Sequence, residues 1–190
     1  MNIDSLKIWS TFKSCFENRV KGLSESELKR FKTTGDRKYL FNESVLPKVA
    51  EDMGYKMRPE FLRVDYTFMA VGKNGFQVPV VCIESENNFD SCYEETLKLC
   101  ALNVPLKILI TYGMPAERAK DFGDNDIVDA YIFADFLEKT NLIGCYGILI
   151  YDDTDEEIKF HVFLYNEKGE RVLDECGQMV INSLKLTKVI

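Results

Sequence analysis

Three acidic residues, Asp65, Glu84 and Glu86, are placed in a pattern that predicts one metal-binding site. Two strand-like runs separated by GKNG predict a hairpin with Asp65 on its first strand and the glutamates at the end of its second. If GKNG is a symmetric loop, Asp65 pairs with Cys82 and Arg63 pairs with Glu84. Paired residues share a face and side chains alternate along each strand, so the three carboxylates point the same way if the second strand continues to Glu86. A shift of one residue in the turn would move Asp65 to the opposite face.

Close carboxylates suggest a divalent cation, because unpaired carboxylates at short range repel one another. Hard oxygen ligands of this kind suit Mg²⁺ or Mn²⁺. Such an ion can polarise a phosphoryl oxygen and lower the pKa of a bound water, which then becomes a nucleophile. The spacing fits a second interpretation equally well, in which the acids face solvent or pair with Arg63 and Lys98.

The elements around the hairpin predict an α/β fold with a mixed central β-sheet flanked by helices, because helical and strand-like patterns alternate along the chain. The predicted helices cover about 4–21, 24–31, 44–53, 91–102, 115–122 and 125–140. The predicted strands cover about 62–71, 76–84, 106–112, 143–151 and 158–165. Asp4 or Ser5 can cap the first helix, Ser24 and Glu27 fit a capping box, and Pro47 fits only a first helical turn.

Length and composition predict a single domain over 1–190, since 46% apolar residues can fill one core. Its parts are an N-terminal helical region (about 1–55), a core (about 56–165) and a C-terminal extension (about 166–190). No apolar run approaches 18 residues, which predicts a soluble protein without membrane association. Six cysteines without C-x-x-C spacing indicate free thiols in the reducing cytoplasm.

Charge is distributed unevenly along the chain. The net charge of -7 argues against a protein that coats nucleic acid with its whole surface. Residues 19–63, however, carry 11 Lys+Arg against 7 Asp+Glu. This basic third is compatible with a local phosphate-binding surface, and equally with an ordinary solvated helical face.

The order of these motifs resembles the PD-(D/E)XK nuclease superfamily, also called restriction-endonuclease-like. The resemblance covers about residues 43–112 and rests on VDYTF, VVCIESEN, the helix ETLKL and the strand LKILITY. It implies a restriction-endonuclease-like fold in which Asp65 and Glu84 bind the metal. It also implies that the backbone carbonyl of Ser85 adds a ligand and that position 86 carries the third catalytic group.

Two positions depart from the superfamily pattern. Val64 stands where proline is usual, and Glu86 stands where the name prescribes lysine, so the element reads E-x-E instead of E-x-K. Glu86 could act as a base or bind a second metal ion. Alternatively, Lys98 on the next helix could supply the missing cation, as in superfamily members that recruit a polar residue from that helix. If neither holds, the site is inactive.

Further candidates lie N-terminal to the hairpin. A fourth acid often comes from an N-terminal helix in this superfamily, and Glu43 is preferred here over Glu51 and Glu60. Basic residues that could contact a nucleic-acid backbone are Arg58, Arg63, Lys29, Arg30, Lys32, Arg37 and Lys38. The same cations could simply solubilise an exposed helix and loop.

The expected function is hydrolysis of phosphodiester bonds, with DNA as the partner and Mg²⁺ or Mn²⁺ as the cofactor. The alternative is a catalytically inactive nuclease fold that acts as a binding or assembly module. A sequence-specific enzyme of this length would need to form a homodimer, because little recognition surface remains after the core is built. The sequence leaves these choices open.

Overall fold

The computed structural model describes residues 4–30, 38–87, 91–112, 143–153 and 157–182. In these ranges the chain forms a mixed α/β structure in which helices flank a mixed sheet, as predicted, although the sheet has seven strands where the sequence predicted five. The helices predicted at 115–122 and 125–140 lie outside the described residues. So do the predicted phosphate contacts Lys32 and Arg37.

The seven strands lie in the sheet in their order along the chain. They are β1 (Lys56–Phe61), β2 (Val64–Val71), β3 (Gln77–Glu86), β4 (Leu106–Tyr112), β5 (Cys145–Asp153), β6 (Glu157–Tyr165) and β7 (Gly177–Asn182). Neighbours are antiparallel except for the parallel pairs β3–β4 and β4–β5. The two edge strands were not predicted. In β1, the sequence KMRPEF has little strand propensity, and its proline and charges suit an edge.

Within the described ranges, the α-helices that accompany the sheet are α1 (Ser5–Lys21), α2 (Glu25–Arg30), α3 (Leu46–Asp52) and α4 (Cys92–Cys100). The caps behave as predicted. Asp4 accepts a hydrogen bond from the backbone N–H of Lys7 at 3.2 Å. Ser24 and Glu27 form the reciprocal capping box, with the Ser24 N–H donating to Glu27 Oε2 at 2.9 Å. A π-helical turn at Phe41–Val45 precedes α3, and Pro47 lies in the first turn of α3.

Helix α1 packs on one face of the sheet with a stripe of large side chains. Its buried residues recur every three or four positions: Ile8, Trp9, Phe12, Phe16 and Val20. Gly147 on β5 lies against the indole, because a Cβ built there would be 2.1 Å from Trp9 Cζ3. The indole Nε1 also donates to Glu175 at 3.2 Å. Trp9 therefore joins α1 both to the sheet and to the segment before β7.

Helix α4 packs on the opposite face, where two buried polar contacts determine its position. The hydroxyls of Thr96 and Tyr146 lie 2.9 Å apart, and Cys92 Sγ lies 3.1 Å from Thr111 Oγ1. Because a buried polar group without a partner costs about 1–3 kcal/mol, sliding α4 along the sheet would be unfavourable. The helix therefore holds its remaining side chains at a defined height above β3.

Lys107 on β4 is fully buried, which the apolar sequence of that strand did not suggest. Its ammonium donates to the carbonyl oxygens of Val104, at 3.0 Å, and of Ile143. Burial lowers the pKa of Lys107. The side chain thereby ties the residues before β5 to the start of β4.

All six cysteines are free thiols, as their spacing predicted. Within the described part of the chain, no helix is long and apolar enough to cross a bilayer.

Candidate functional site

The β2–β3 hairpin has a register that differs from the symmetric one. Near the turn, Val71 pairs with Gln77, one residue beyond the symmetric partner. A bulge between Phe68 and Met69 then adds a second one-residue shift. One shift alone would have reversed the face on which Asp65 lies, whereas two shifts restore it.

Beyond the bulge, Thr67 lies opposite Cys82, so the predicted pairs Asp65–Cys82 and Arg63–Glu84 are wrong. The same register continued along the strands places Asp65 directly opposite Glu84. The two carboxylates are therefore direct cross-strand neighbours on one face rather than diagonal ones.

The carboxylates of Asp65 and Glu84 each accept a hydrogen bond from a backbone N–H of the other's strand. The Ser85 N–H donates to Asp65 Oδ2 at 3.0 Å, and the Asp65 N–H donates to Glu84 Oε2 at 3.4 Å. One oxygen of each carboxylate is thus held by a backbone donor. The other oxygen of each remains available to a cation.

Lys98 from α4 lies beside the second oxygen of Glu84. Its Nζ is 2.6 Å from Glu84 Oε1, and it also pairs with Glu95. Glu84 is almost completely buried, at 2% exposure, whereas the side chain of Lys98 is one-third exposed. The ammonium therefore connects a buried carboxylate to solvent.

Lys38, just before the π-helical turn, lies beside the second oxygen of Asp65. Its Nζ is 3.6 Å from Asp65 Oδ1, and its side chain is more than half exposed. Lys38 also places its backbone carbonyl 3.4 Å from the hydroxyl of Tyr66, which donates to it. Sequence analysis suggested this lysine as a phosphate contact, and the structure places it at the acidic pair.

Burial raises the pKa of Glu84 to about 7, with the Lys98 ammonium opposing the rise and the charges of Asp65 and Glu95 adding to it. Burial also lowers the pKa of Lys98, but the two glutamates outweigh this effect and the net pKa is raised. Near neutral pH, Glu84 therefore exchanges between its protonated and ionised forms. A carboxyl group perturbed in this way is typical of functional sites, although structural ion pairs produce it too.

Glu86 lies on the same face as Glu84, because β3 continues to Glu86 without interruption. It is half-buried and opposite Thr111 of β4. Within the described ranges, no group of three or more His, Cys, Asp or Glu side chains is arranged to hold a metal ion. The centre of the site is therefore the pair formed by Asp65 and Glu84.

This pair fits a Mg²⁺ or Mn²⁺ ion by its donor chemistry. Mg²⁺ is usually bound by one or two carboxylates together with waters and substrate phosphates, so a three-acid cage is not required. Asp65 and Glu84 each have one oxygen that faces an ammonium group, which a divalent cation could displace. The Ser85 carbonyl, between the two glutamates of β3, is the further ligand that the resemblance implies.

Glu43 lies in the π-helical turn and takes no part in a metal-binding group with Asp65 and Glu84. It is instead hydrogen-bonded to the hydroxyl of Tyr39, which raises the pKa of that tyrosine. Arg30, at the end of α2, lies over the same tyrosine ring at 4.6 Å.

The remaining predicted cations lie at the surface. Arg58 on β1 packs its guanidinium 4.6 Å from the ring of Phe61, and Arg63 lies in the turn that leads into β2. Both arginines are exposed, as is Lys29 on α2. Arg63 is the one nearest in sequence to Asp65.

Glu95 is the site residue that sequence reasoning missed. It pairs with Lys98 at a separation of three residues, a spacing that brings side chains together on a helix. That spacing was visible in ETLKL and could have identified Glu95 as the second partner of Lys98.

The fold and the site define a mixed α/β domain that carries a buried glutamate, a partly buried aspartate and a lysine at one end of its sheet. No protein-family model, curated protein or solved structure matches the chain.

Proposed function

We propose that this protein is a metal-dependent nuclease of the PD-(D/E)XK type, which hydrolyses phosphodiester bonds of DNA with Mg²⁺ or Mn²⁺. One observation carries the proposal: Asp65 and Glu84 are cross-strand neighbours, and Lys98 lies 2.6 Å from Glu84. Asp65 and Glu84 match the two metal ligands that the resemblance implies, and Lys98 matches the cation that it allows as an alternative to a catalytic group at position 86.

The order of elements around the pair supports the proposal. The β2–β3 hairpin carries both carboxylates, α4 follows β3, and β4 then runs parallel to β3. A restriction-endonuclease-like fold would need this order. The free cysteines are compatible with a reducing compartment, so we propose a cytoplasmic location.

Each residue has a separate task in the proposed reaction. Asp65 and Glu84 would hold the metal, and their backbone hydrogen bonds orient them in advance. A metal held there would supply Lewis-acid polarisation of the phosphoryl oxygen and a water of lowered pKa. Lys98, released from Glu84, turns its positive charge toward the charge that develops on the phosphate. Glu86, next on the same face, accepts the proton of the water.

A second function is favoured by the same lysine. Lys98 pairs with both Glu84 and Glu95, and Lys38 faces Asp65, so the acids have cationic partners without a metal. A nuclease fold used only for binding or assembly would keep this ion-pair cluster as part of its core. In that case Mn²⁺ would bind little.

The two functions are separated by a cleavage assay on plasmid, linear and single-stranded DNA with Mg²⁺ or Mn²⁺. Asp65→Asn and Glu84→Gln are the test variants, and Glu94→Gln, an exposed acid on α4, is the matched control. The nuclease proposal expects both test variants to lose at least about a hundredfold in rate, since metal contacts supply several kcal/mol.

Calorimetry with Mn²⁺ provides the second measurement. Binding by the wild type that disappears in Asp65→Asn supports the nuclease. If the folded wild type neither cleaves any of the DNA forms nor binds Mn²⁺, the proposal is wrong and the assembly module remains.

A further inference from the structure

The turn between β1 and β2 has an unusual backbone for its sequence. Phe61 pairs with Val64, so only Leu62 and Arg63 form the connection. Their φ values are 58° and 63°, both in the left-handed region, and Glu60 before them has a φ of 53°. Two central residues with positive φ define a type I′ turn, in which Asn-Gly is strongly preferred. A leucine and an arginine are sterically disfavoured there.

The strain has no evident purpose within the fold itself. An Asn-Gly turn would connect the same two strands in the same register at lower cost. Both side chains also point away from the core: Leu62 is 55% exposed and Arg63 is exposed. Strained backbone of this kind occurs often at ligand-binding sites, where particular side chains are needed.

The turn lies at the same end of the sheet as the carboxylate pair. Arg63 is two residues from Asp65, so their Cα atoms are no more than about 7 Å apart. Glu84 lies on the far side of Asp65 from β1, which makes the turn one border of the site. The turn thus presents one apolar and one cationic side chain next to the metal ligands.

We propose that Leu62 and Arg63 form a nucleic-acid contact of this site, in which Arg63 binds a phosphate next to the scissile one and Leu62 packs against the adjoining base. The inference rests on the proposed function and adds a substrate class. Leucine offers no hydrogen bond to a base edge, so it contacts a base face without reading sequence. The preferred substrate is a single strand, because its base faces are accessible without the few kcal/mol per step that unstacking a duplex costs.

The test is to replace the strained pair with the preferred turn, as the double variant Leu62→Asn, Arg63→Gly. Removing the strain should raise the Tm, by roughly 2–8 °C for a domain of this size. The same variant should bind fluorescein-labelled single-stranded DNA at least about tenfold more weakly, measured by anisotropy in EDTA so that no cleavage occurs. A gain in stability that accompanies a loss of binding cannot be explained by poor folding.

Single variants divide the effect between the two side chains. Arg63→Gln should lower the slope of log affinity against log salt by about 0.7, the value for one phosphate contact on a single strand. Leu62→Asn should weaken binding by about fivefold or more without changing that slope. Lys73→Gln is the matched control, because Lys73 is an exposed cation in the turn at the opposite end of β2.

The outcomes distinguish this inference from the proposed function. The contact proposed for Leu62 and Arg63 is overturned if the double variant binds single-stranded DNA as tightly as the wild type does. It is also overturned if Arg63→Gln and Lys73→Gln reduce the salt slope equally, or if the wild type binds duplex and single strand with equal affinity. Loss of cleavage in Asp65→Asn together with normal binding by the double variant would retain the nuclease and reject this role of the turn. Failure of the wild type to bind DNA would reject the contact.

Discussion

Burial of Glu84 predicts that this residue destabilises the metal-free protein as pH rises. Its pKa is raised from 4.5 to about 7 because a 2% exposed carboxylate loses hydration that Lys98 only partly replaces. Between these pH values the folded state binds the proton more tightly than the unfolded state does. The stability that this proton contributes is complete below pH 4.5 and is lost as pH rises through about 7.

The variant Glu84→Gln measures this loss, because the amide does not titrate. The difference in pKa corresponds to about 3 kcal/mol. The free energy of unfolding of Glu84→Gln should therefore gain about 3 kcal/mol relative to the wild type between pH 4.5 and pH 8. Its steepest change should be about 1.4 kcal/mol per pH unit.

Urea unfolding at half-unit pH steps provides the measurement, with Glu94→Gln as the control. Glu94 is exposed on the same helix, so its variant should follow the wild-type curve at a constant offset. If the Glu84→Gln and wild-type curves are also parallel, the raised pKa of Glu84 and the reasoning from its burial are refuted.

Three further predictions concern the site and the core. Lys98→Met should raise the pKa of Glu84 further and lower the free energy of unfolding at pH 8 by about 1–1.5 kcal/mol, because Glu84 would take up a proton once its cation is removed; an unchanged urea midpoint at pH 8 would contradict this. Mn²⁺ binding at pH 7 should release part of a proton from Glu84. The binding enthalpy measured by calorimetry should then vary with the ionisation enthalpy of the buffer. A binding enthalpy that is independent of the buffer would exclude this proton release. Gly147→Ala should destabilise the fold by about 1–3 kcal/mol or more, since its Cβ would overlap Trp9. Gly72→Ala is the control, because a Cβ there would meet only ordinary contacts. Equal urea midpoints for the two variants would show that the indole can move aside.

The local elements around the site could be predicted from the sequence. Alternating β-branched and aromatic residues predicted β2 and β3, the apolar run LKILITY predicted β4, and helical spacing predicted α4. These signals are local, because strand alternation and helix capping depend on residues within one or two turns. The edge strand β1 lacked such a signal, since Pro59 and its charges are tolerated only because one side of the strand is unpaired.

The face shared by Asp65 and Glu84 was predicted for a register that the protein does not use. The turn shifts the pairing by one residue, and the bulge at Phe68 and Met69 shifts it again. Asp65 and Glu84 therefore share a face as predicted, although the predicted pairing partners are wrong. A bulge depends on how the whole sheet twists and packs, which no local pattern encodes.

The sequence by itself determined that three acids, Asp65, Glu84 and Glu86, lie on one hairpin and that a lysine lies on the following helix. Only the tertiary structure decided how these residues meet. Packing of α4 on the sheet brings Lys98 to 2.6 Å from Glu84 and buries that carboxylate, which raises its pKa to about 7. Burial and charge pairing depend on contacts between distant segments, so they follow from the fold and not from the spacing of the residues.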